Sequence, residues 1–378
     1  MSLPRAFGLI LAAVLCCAGC SEPAPPIRIG LLPYLSGTRI EFSGQATVDA
    51  AELAVAEINA AGGLLVAGRR HRVELRIRDA GEQVDVATAA ARALINQDSV
   101  IALIGPQFSR DALAVAMLAE GDGIPMITPM ASLPEVTRNR PFVFRVAFTD
   151  DEQGASLSRL ARKVLHAQRA AVLYDVADDY PRGLVEIFMR GFTGEGGVIV
   201  ASETFTTDAP FYRDQLGRIA AARPEVLFMP SYMPLVQGQM EQARQAGIEA
   251  VFLGSDVWDG STLSRIPVAE GAYQTAQWWP DTLVATSERF FAKFQDRYGR
   301  PPAGTEAATW DAVQLLAAAI QTAGTAEGAA LRSALAATHS FPGVTGEISF
   351  DRDGNPRKAA VLLRLGPNGP VRVPEPER

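Results

Sequence analysis

The chain has 378 residues, 48% of them hydrophobic, with a formal net charge of −7, three cysteines and three histidines. That length is too great for one hydrophobic core and suits two domains of ordinary size. The charge is acidic and lysines and arginines form no stripe, which argues against nucleic acid as a partner.

At the N-terminus Arg5 supplies a positive region and Ala6 to Leu15 an apolar run too short to span a bilayer. Cys17-Ala18-Gly19-Cys20 then leads small residues into a cysteine. An ordinary signal peptide or a short membrane anchor would share the apolar run. The terminal Cys20 makes the segment resemble a bacterial lipoprotein signal, residues 1–19 being removed and Cys20 acylated, although Cys17 stands where that pattern usually has leucine. The cysteines are Cys16, Cys17 and Cys20, so cleavage leaves Cys20 alone, with no disulfide and no thiolate zinc site. Residues 20–26, rich in proline, read as a stiff lipidated tether. The expected location is the periplasm or cell surface, anchored to the membrane by lipid.

From residue 27 short apolar runs alternate with helical periods. Strands are predicted at 27–32, 73–77, 100–104, 124–127 and 142–146, with helices at 48–58, 84–95 and 109–119 between them. The alternation restarts with helix 157–165, strand 170–174, helix 184–192, strand 198–205, helix 211–222, strand 226–229, helix 235–246 and strand 250–253. Helices at 288–298, 307–323 and 327–337 follow, then a strand pair, Glu347–Phe350 and Ala359–Leu365, around the turn Asp351-Arg352-Asp353-Gly354. Two such sets predict an α/β protein of two doubly wound parallel-sheet lobes. Ligands of open parallel sheets sit beyond the carboxyl ends of the strands. The loops to inspect therefore begin at Pro33, Gly105, Thr128, Tyr174, Pro230 and Gly254.

Several stretches, in order, resemble the branched-chain amino acid binding proteins of the type I periplasmic binding fold. They include Ile29-Gly30-Leu31-Leu32, Ala56-Glu57-Ile58-Asn59-Ala60-Ala61-Gly62-Gly63, Ile104-Gly105-Pro106, Ile124-Pro125-Met126-Ile127-Thr128-Pro129, Phe144-Arg145, Gln245-Ala246-Gly247 and Phe341-Pro342-Gly343-Val344-Thr345-Gly346 with Phe350-Asp351. The resemblance implies two lobes joined by a three-strand hinge, with crossings near residues 148, 278 and 343. The first lobe would comprise 27–148 plus 279–342 and the second 149–278 plus 343–371. It also implies a monomer that hands an amino acid to an ABC permease in the inner membrane, without a cofactor.

Ser109 opens a helix, where its hydroxyl could simply cap the helix or offer itself with the helix amides to a carboxylate; the resemblance implies the second. In Thr128-Pro129-Met130-Ala131-Ser132, the resemblance gives Ser132 to the same carboxylate and a carbonyl near Met130 and Ala131 to the ammonium. Met130 is larger than the family's usual residue and would reshape the side-chain pocket. Asp256, just past a strand, could cap a turn before Asp259-Gly260. A buried ammonium needs an anionic partner, and the resemblance implies that role for Asp256. Tyr180 and Tyr232 match second-lobe contact positions, with apolar cover and a hydroxyl each. Phe42 matches a first-lobe aromatic. Phe108 and Gly81 stand where some relatives carry a disulfide, so Phe108 is expected to fill pocket space. Trp278, near the second crossover, fits cleft lining and lobe packing equally.

No nucleophile elbow, phosphate loop or metal-spaced set is present, which argues against an enzyme. A sensor or scaffold of the same fold binding an amide, urea or other small carboxylate is the alternative. A neutral ligand would not need Asp256.

Overall fold

The computed structural model describes residues 24–37, 43–206, 211–233, 235–280 and 284–377; the leader, Cys20 and Phe42 lie outside these. Strand β1 (Ile27–Leu31) leads to helix α1 (Gln45–Ala60), a small hairpin of β2 (Leu64–Val66) and β3 (Arg69–His71), then β4 (Val73–Ile77) and α2 (Val84–Asn96). Strand β5 (Ala102–Ile104), α3 (Ser109–Asp122), β6 (Met126–Thr128) and β7 (Val143–Arg145) follow. The sheet they form has the order β4-β1-β5-β6-β7, every pairing parallel. Ile29 and Leu31 of β1 are fully buried, as a strand covered on both faces requires. Each such side chain contributes about 1.5–3 kcal/mol.

The chain then crosses to a second lobe. Helix α4 (Asp150–Arg159) is followed by β8 (Arg169–Asp175), α5 (Asp179–Gly194), β9 (Val198–Phe205), α6 (Arg213–Ala222) and β10 (Val226–Phe228). Next come α7 (Leu235–Gln245), β11 (Val251–Gly254), α8 (Gly260–Leu263) and β12 (Tyr273–Ala276). The chain returns to the first lobe through α9 (Ala285–Tyr298), α10 (Gly304–Ala323), α11 (Gly328–Ala336) and the pair β13 (Phe341–Gly343) and β14 (Gly346–Ile348). It ends in the second with β15 (Val361–Gly366) and β16 (Gly369–Val373). The second sheet runs β16-β15-β12-β11-β10-β8-β9, with β15 antiparallel to both of its neighbours, β12 and β16.

Each sheet has apolar cover on both faces. In the first lobe, α1, α10 and α11 bury Val55, Leu316, Ile320 and Leu331 against one face. Helices α2 and α3 bury Leu94, Val115 and Ala116 against the other. In the second, α4 and α5 contribute Leu157, Leu184 and Phe188 to one core, and α6 and α7 contribute Leu216, Ile219 and Met240 to the other.

Three expectations need correction. The third crossover lies later than residue 343, because Ile348 and Phe350 are still packed in the first-lobe core and the chain joins the second sheet only at Val361. Glu347–Phe350 and Ala359–Leu365 consequently do not pair with each other; β14 pairs β13, and β15 pairs β12 and β16. Strand β12 was not expected. Its Gln274 and Thr275 are buried polar residues in the middle of a sheet, so it carries no apolar run to read.

Candidate functional site

In each lobe the strand order reverses once, between β1 and β5 in the first and between β8 and β10 in the second. Loops leaving such a switch point diverge and leave a crevice beyond the strand ends. Tyr34 follows β1 and Phe108 follows β5; Tyr180 follows β8 and Tyr232 follows β10. The two switch points face each other, and these rings form a continuous file. Tyr34 and Phe108 are 4.8 Å apart, Phe108 and Tyr232 5.4 Å, and Tyr232 and Tyr180 5.7 Å between centroids. Phe108 to Tyr232 is the step between lobes, edge to face at 78°, a geometry aromatic quadrupoles favour.

On the first-lobe side, Ser109 and Ser132 are both buried. The cap position of α3 is held by Phe108, in extended backbone with no side-chain bond, and Ser109 is the first helical residue. The capping reading of Ser109 therefore gives way: its Oγ accepts from the Leu133 N–H at 3.3 Å, joining α3 to the loop that carries Ser132. Sequence reading placed Arg145 in a motif without a role. Its guanidinium, fully buried, donates to the carbonyls of Ala131 and Leu133 at 2.8 Å and to Thr137 Oγ1 at 3.0 Å. It thus fixes the shape of the Ser132 loop from beneath. Burial pushes its pKa down to about 10. Of the carbonyls near Met130, one of which is expected to face an ammonium, that of Ala131 accepts from Arg145. Ala131 is buried in the first-lobe core, and Met130 packs half-buried on that lobe's other core.

On the second-lobe side, Gly254 ends β11 under the ring of Trp258, where an added Cβ would come within 2.1 Å of the indole. This close approach sets the course of Ser255 and Asp256. Asp259, not Asp256, caps the following helix α8, accepting from the Ser261 and Thr262 amides. Asp256 is held by side chains: Tyr180 Oη donates to Oδ1 at 2.7 Å and Gln277 Nε2 to Oδ2 at 2.6 Å. Its own N–H donates to Gln153 Oε1 at 2.9 Å. Burial pushes the Asp256 pKa up, while the bonds from Gln277 and Tyr180 hold it down. Burial, reinforced by Asp256, also drives the Tyr180 phenol well above its ordinary value.

Asp150 is the residue sequence reading missed. Thr149 caps α4 by accepting from the Glu152 N–H, and Asp150 is the first helical residue behind it. Its side chain is fully buried. Oδ1 accepts from Gln153 Nε2 at 3.2 Å, so one glutamine bridges Asp150 and Asp256. A charged residue just after the first crossover was the available signal, masked by Asp151 and Glu152, which make the run look like an ordinary acidic first turn.

Two expected residues stand apart. Trp278 is buried, donates from Nε1 to Ser287 Oγ at 3.1 Å and packs with Phe290 and Phe294; the packing reading replaces cleft lining. Phe42 is outside the described residues. A hollow of about 590 Å³ opens at the hinge among Arg138, Asp151, Asp353 and Lys358, but none of the expected ligand residues lines it.

Residues 26–370 match the model of a family described as periplasmic binding protein. An amino acid binding protein of Pseudomonas aeruginosa is 27% identical over 354 residues, 92% of each chain. A leucine-, isoleucine-, valine-, threonine- and alanine-binding protein of the same organism is 27% identical over 89% of each. Among solved structures, a leucine binding protein LivK from Thermotoga maritima superposes with TM-score 0.85 at 28% identity, covering 92% of this chain and 98% of that one. The branched-chain amino acid transporter substrate binding protein LivJ from Streptococcus pneumoniae, in complex with isoleucine, gives 0.82 at 28%, covering 92% and 100%. Two doubly wound lobes, facing switch points and a match running through both lobes lead to one conclusion: the chain belongs to the periplasmic binding protein family.

Proposed function

We propose that this protein captures an amino acid between its lobes outside the cytoplasm and delivers it to an ABC permease, tethered to the membrane by a lipid on Cys20. It binds and releases its ligand unchanged. The observation that carries this reading is the polarity of the facing loops. Hydroxyls and a helix N-terminus at Ser109 and Ser132 suit an α-carboxylate. Asp256, on the opposing lobe and not used as a turn cap, suits an ammonium. Arg145 is spent on loop carbonyls, so it holds the loop and leaves carboxylate binding to the serines. Tyr180 and Tyr232 come from the second lobe and Phe108 from the first, so a ligand touching all of them favours closure. The names of the Pseudomonas relatives and the isoleucine held by the Streptococcus protein support the same class.

The test is thermal-shift screening of residues 21–378 against the twenty amino acids, their deaminated acids and their amides. Amino acids are expected to raise the melting temperature, with the other two sets inert. A related solute binding protein from R. palustris is in complex with benzoate, so carboxylic acids make a stringent counter-panel. Stabilisation by acids lacking an amino group, with none from any amino acid, would overturn the proposal.

A further inference from the structure

The pole of the first lobe that carries the tether differs from the rest of this acidic chain. From Gly63 to Arg72 the sequence holds three arginines, one histidine and no aspartate or glutamate. That stretch is the β2–β3 hairpin, whose turn residues Ala67 and Gly68 both have positive φ, as a tight two-residue turn demands. Leu64 and Val66 face inward and join the first-lobe core. Leu65, between them, stands 49% exposed. It pairs across the hairpin with Arg70, so an apolar side chain and a guanidinium share the outer face. Arg69, Arg70 and Arg72 are all exposed. Arg70 donates one N–H to the Gly63 carbonyl at 3.1 Å. Glu74, the first acid past the hairpin, already faces Arg76 at 2.8 Å and Arg28 at 3.9 Å. The hairpin is pinned at its tip, where the Ala67 N–H donates to the Gly324 carbonyl at the end of α10 at 3.1 Å. A single exposed leucine is ordinary; what sets this one apart is its place. His71 Nδ1 donates to the Pro25 carbonyl at 2.7 Å, and the Ile27 N–H donates to the Arg72 carbonyl at 2.8 Å. The chain that comes from Cys20 therefore joins the lobe alongside the hairpin. Pro25 lies five residues from Cys20, at most about 18 Å of extended chain.

We propose that the β2–β3 hairpin is a membrane-docking surface, with Arg69, Arg70 and Arg72 on the phosphates of anionic phospholipids and Leu65 entering the headgroup layer beside them. The inference rests on the lipid tether of the proposed function, which holds the hairpin this close to a bilayer. Charge selects the occupant. The chain as a whole is negative and anionic lipid repels it, so attraction comes only where a pole of the opposite sign is turned to the surface. Arginine suits phosphate because its planar fork offers two parallel N–H donors. The pinned hairpin presents these groups with little ordering left to do, and the tether keeps lipid at a high effective concentration. Docking also sets direction. Strand β1 begins at Ile27, beside the hairpin, and its other end leads to Tyr34 and the cleft. A docked hairpin turns the cleft away from the lipid surface, open to incoming ligand, and delivery to a permease in that membrane requires the hairpin to let go.

The experiment is partitioning of residues 21–378 onto vesicles of phosphatidylcholine alone and of phosphatidylcholine mixed with phosphatidylglycerol, at low and at high salt. Leaving out Cys20 makes the result independent of lipidation. Binding is expected to be at least about fivefold tighter on the mixed vesicles and to fade as salt screens the charges. Arg69→Gln, Arg70→Gln and Arg72→Gln together are expected to weaken it by about fivefold per arginine, until the preference is gone. Leu65→Ser should weaken binding at both salt concentrations. Arg352→Gln removes an arginine that is 92% exposed elsewhere on the surface and should change nothing. Equal partitioning of the unsubstituted chain on the two kinds of vesicle would overturn the docking surface, as would a triple variant that binds mixed vesicles undiminished. Dimers abolished by the triple substitution, with no vesicle binding, would give the hairpin to a second copy of the chain instead. Protein isolated from its native membrane with Cys20 unmodified would bring down the tether while leaving the vesicle result standing. Because the decisive preference is read on the unsubstituted chain, a poorly folding variant does not obscure the answer.

Discussion

Two buried carboxylate centres in this molecule can be set side by side. Asp311, on α10, accepts from the Val344 N–H at 2.7 Å and from the N–H and hydroxyl of Thr345 at 2.8 and 2.6 Å. Lys358 donates to the same Thr345 hydroxyl at 2.9 Å and adds a stabilising charge. Every oxygen of Asp311 is engaged, and the result is to tie the β13–β14 turn and the third crossover to the first lobe. Asp150 and Asp256 are the reverse case: Gln153 donates to Asp150 Oδ1 and accepts from the Asp256 N–H, and Asp150 Oδ2 is left over. Burying a charge is costly unless partners offset it. Where the protein supplies a charged partner and amides itself the carboxylate builds architecture; where it supplies only neutral groups, the carboxylate fits the ligand-binding role proposed above for Asp256.

The sharpest way to break this contrast is substitution at each centre. Asp311→Ala strands two buried amides and a lysine, and is expected to cost about 3–5 kcal/mol of stability, read as a lower urea midpoint. The affinity of the chain that remains folded should hardly change. A loss of affinity without loss of stability would place Asp311 in the binding machinery and collapse the distinction. Asp256→Ala should behave oppositely. Loss of one partner of a buried charged contact costs about 2–5 kcal/mol of binding, about thirtyfold or more in affinity, while stability holds or rises because a buried charge held only by neutral groups is gone. Titration of leucine and alanine into both variants, beside their unfolding curves, makes the comparison.

The same contrast explains what could be read in advance. The alternation of strands and helices was legible because apolar runs and helical periods survive in the sequence, and Asp256 was legible because its place after β11 follows from that alternation. Strand β12 was hidden because Gln274 and Thr275 occupy a buried strand on the strength of hydrogen bonds rather than hydrophobicity: Gln274 donates to the Trp258 carbonyl and Thr275 to Gln153 Oε1. Gln153 and Gln277, which flank Asp256, are neutral residues with no local pattern. Asp150 could not be told from Asp151 and Glu152 until folding buried one and left another exposed. Arg145 could be recognised in a motif, but its role depends on a loop that only the fold brings over it.

A smaller effect separates the two centres by pH. Burial lowers Lys358 to about 8, with Asp311 opposing. The unfolded chain therefore holds its lysine proton over a range where the folded chain has lost it, and stability should rise as pH increases from about 8 to 10. Below that range the cost of the buried ammonium is present in full. Asp150 works with the opposite slope: raised to about 8, it binds a proton in the folded chain that the unfolded chain releases above about pH 4, so stability falls as pH rises between those values. Urea midpoints across pH 5 to 10 should show Lys358→Met removing only the alkaline rise and Asp150→Asn only the acid-side fall. Identical profiles for both variants would mean that neither group carries the linkage.

The finest test concerns the phenol that orders Asp256. Tyr180 Oη donates to Oδ1 at 2.7 Å while its ring continues the aromatic file toward Phe108 through Tyr232. Tyr180→Phe keeps the ring and deletes one hydrogen. If the phenol holds the carboxylate in position for an ammonium, affinity should fall by about 1 kcal/mol, roughly fivefold, as for a single hydrogen bond. The Asp256 pKa should rise further, since one of the bonds holding it down is lost. Tyr180→Leu removes the ring as well and should add a loss of stability that the phenylalanine variant lacks. Equal affinity in the phenylalanine variant and the unsubstituted chain would assign the phenol to packing alone and leave Gln277 as the group that positions Asp256.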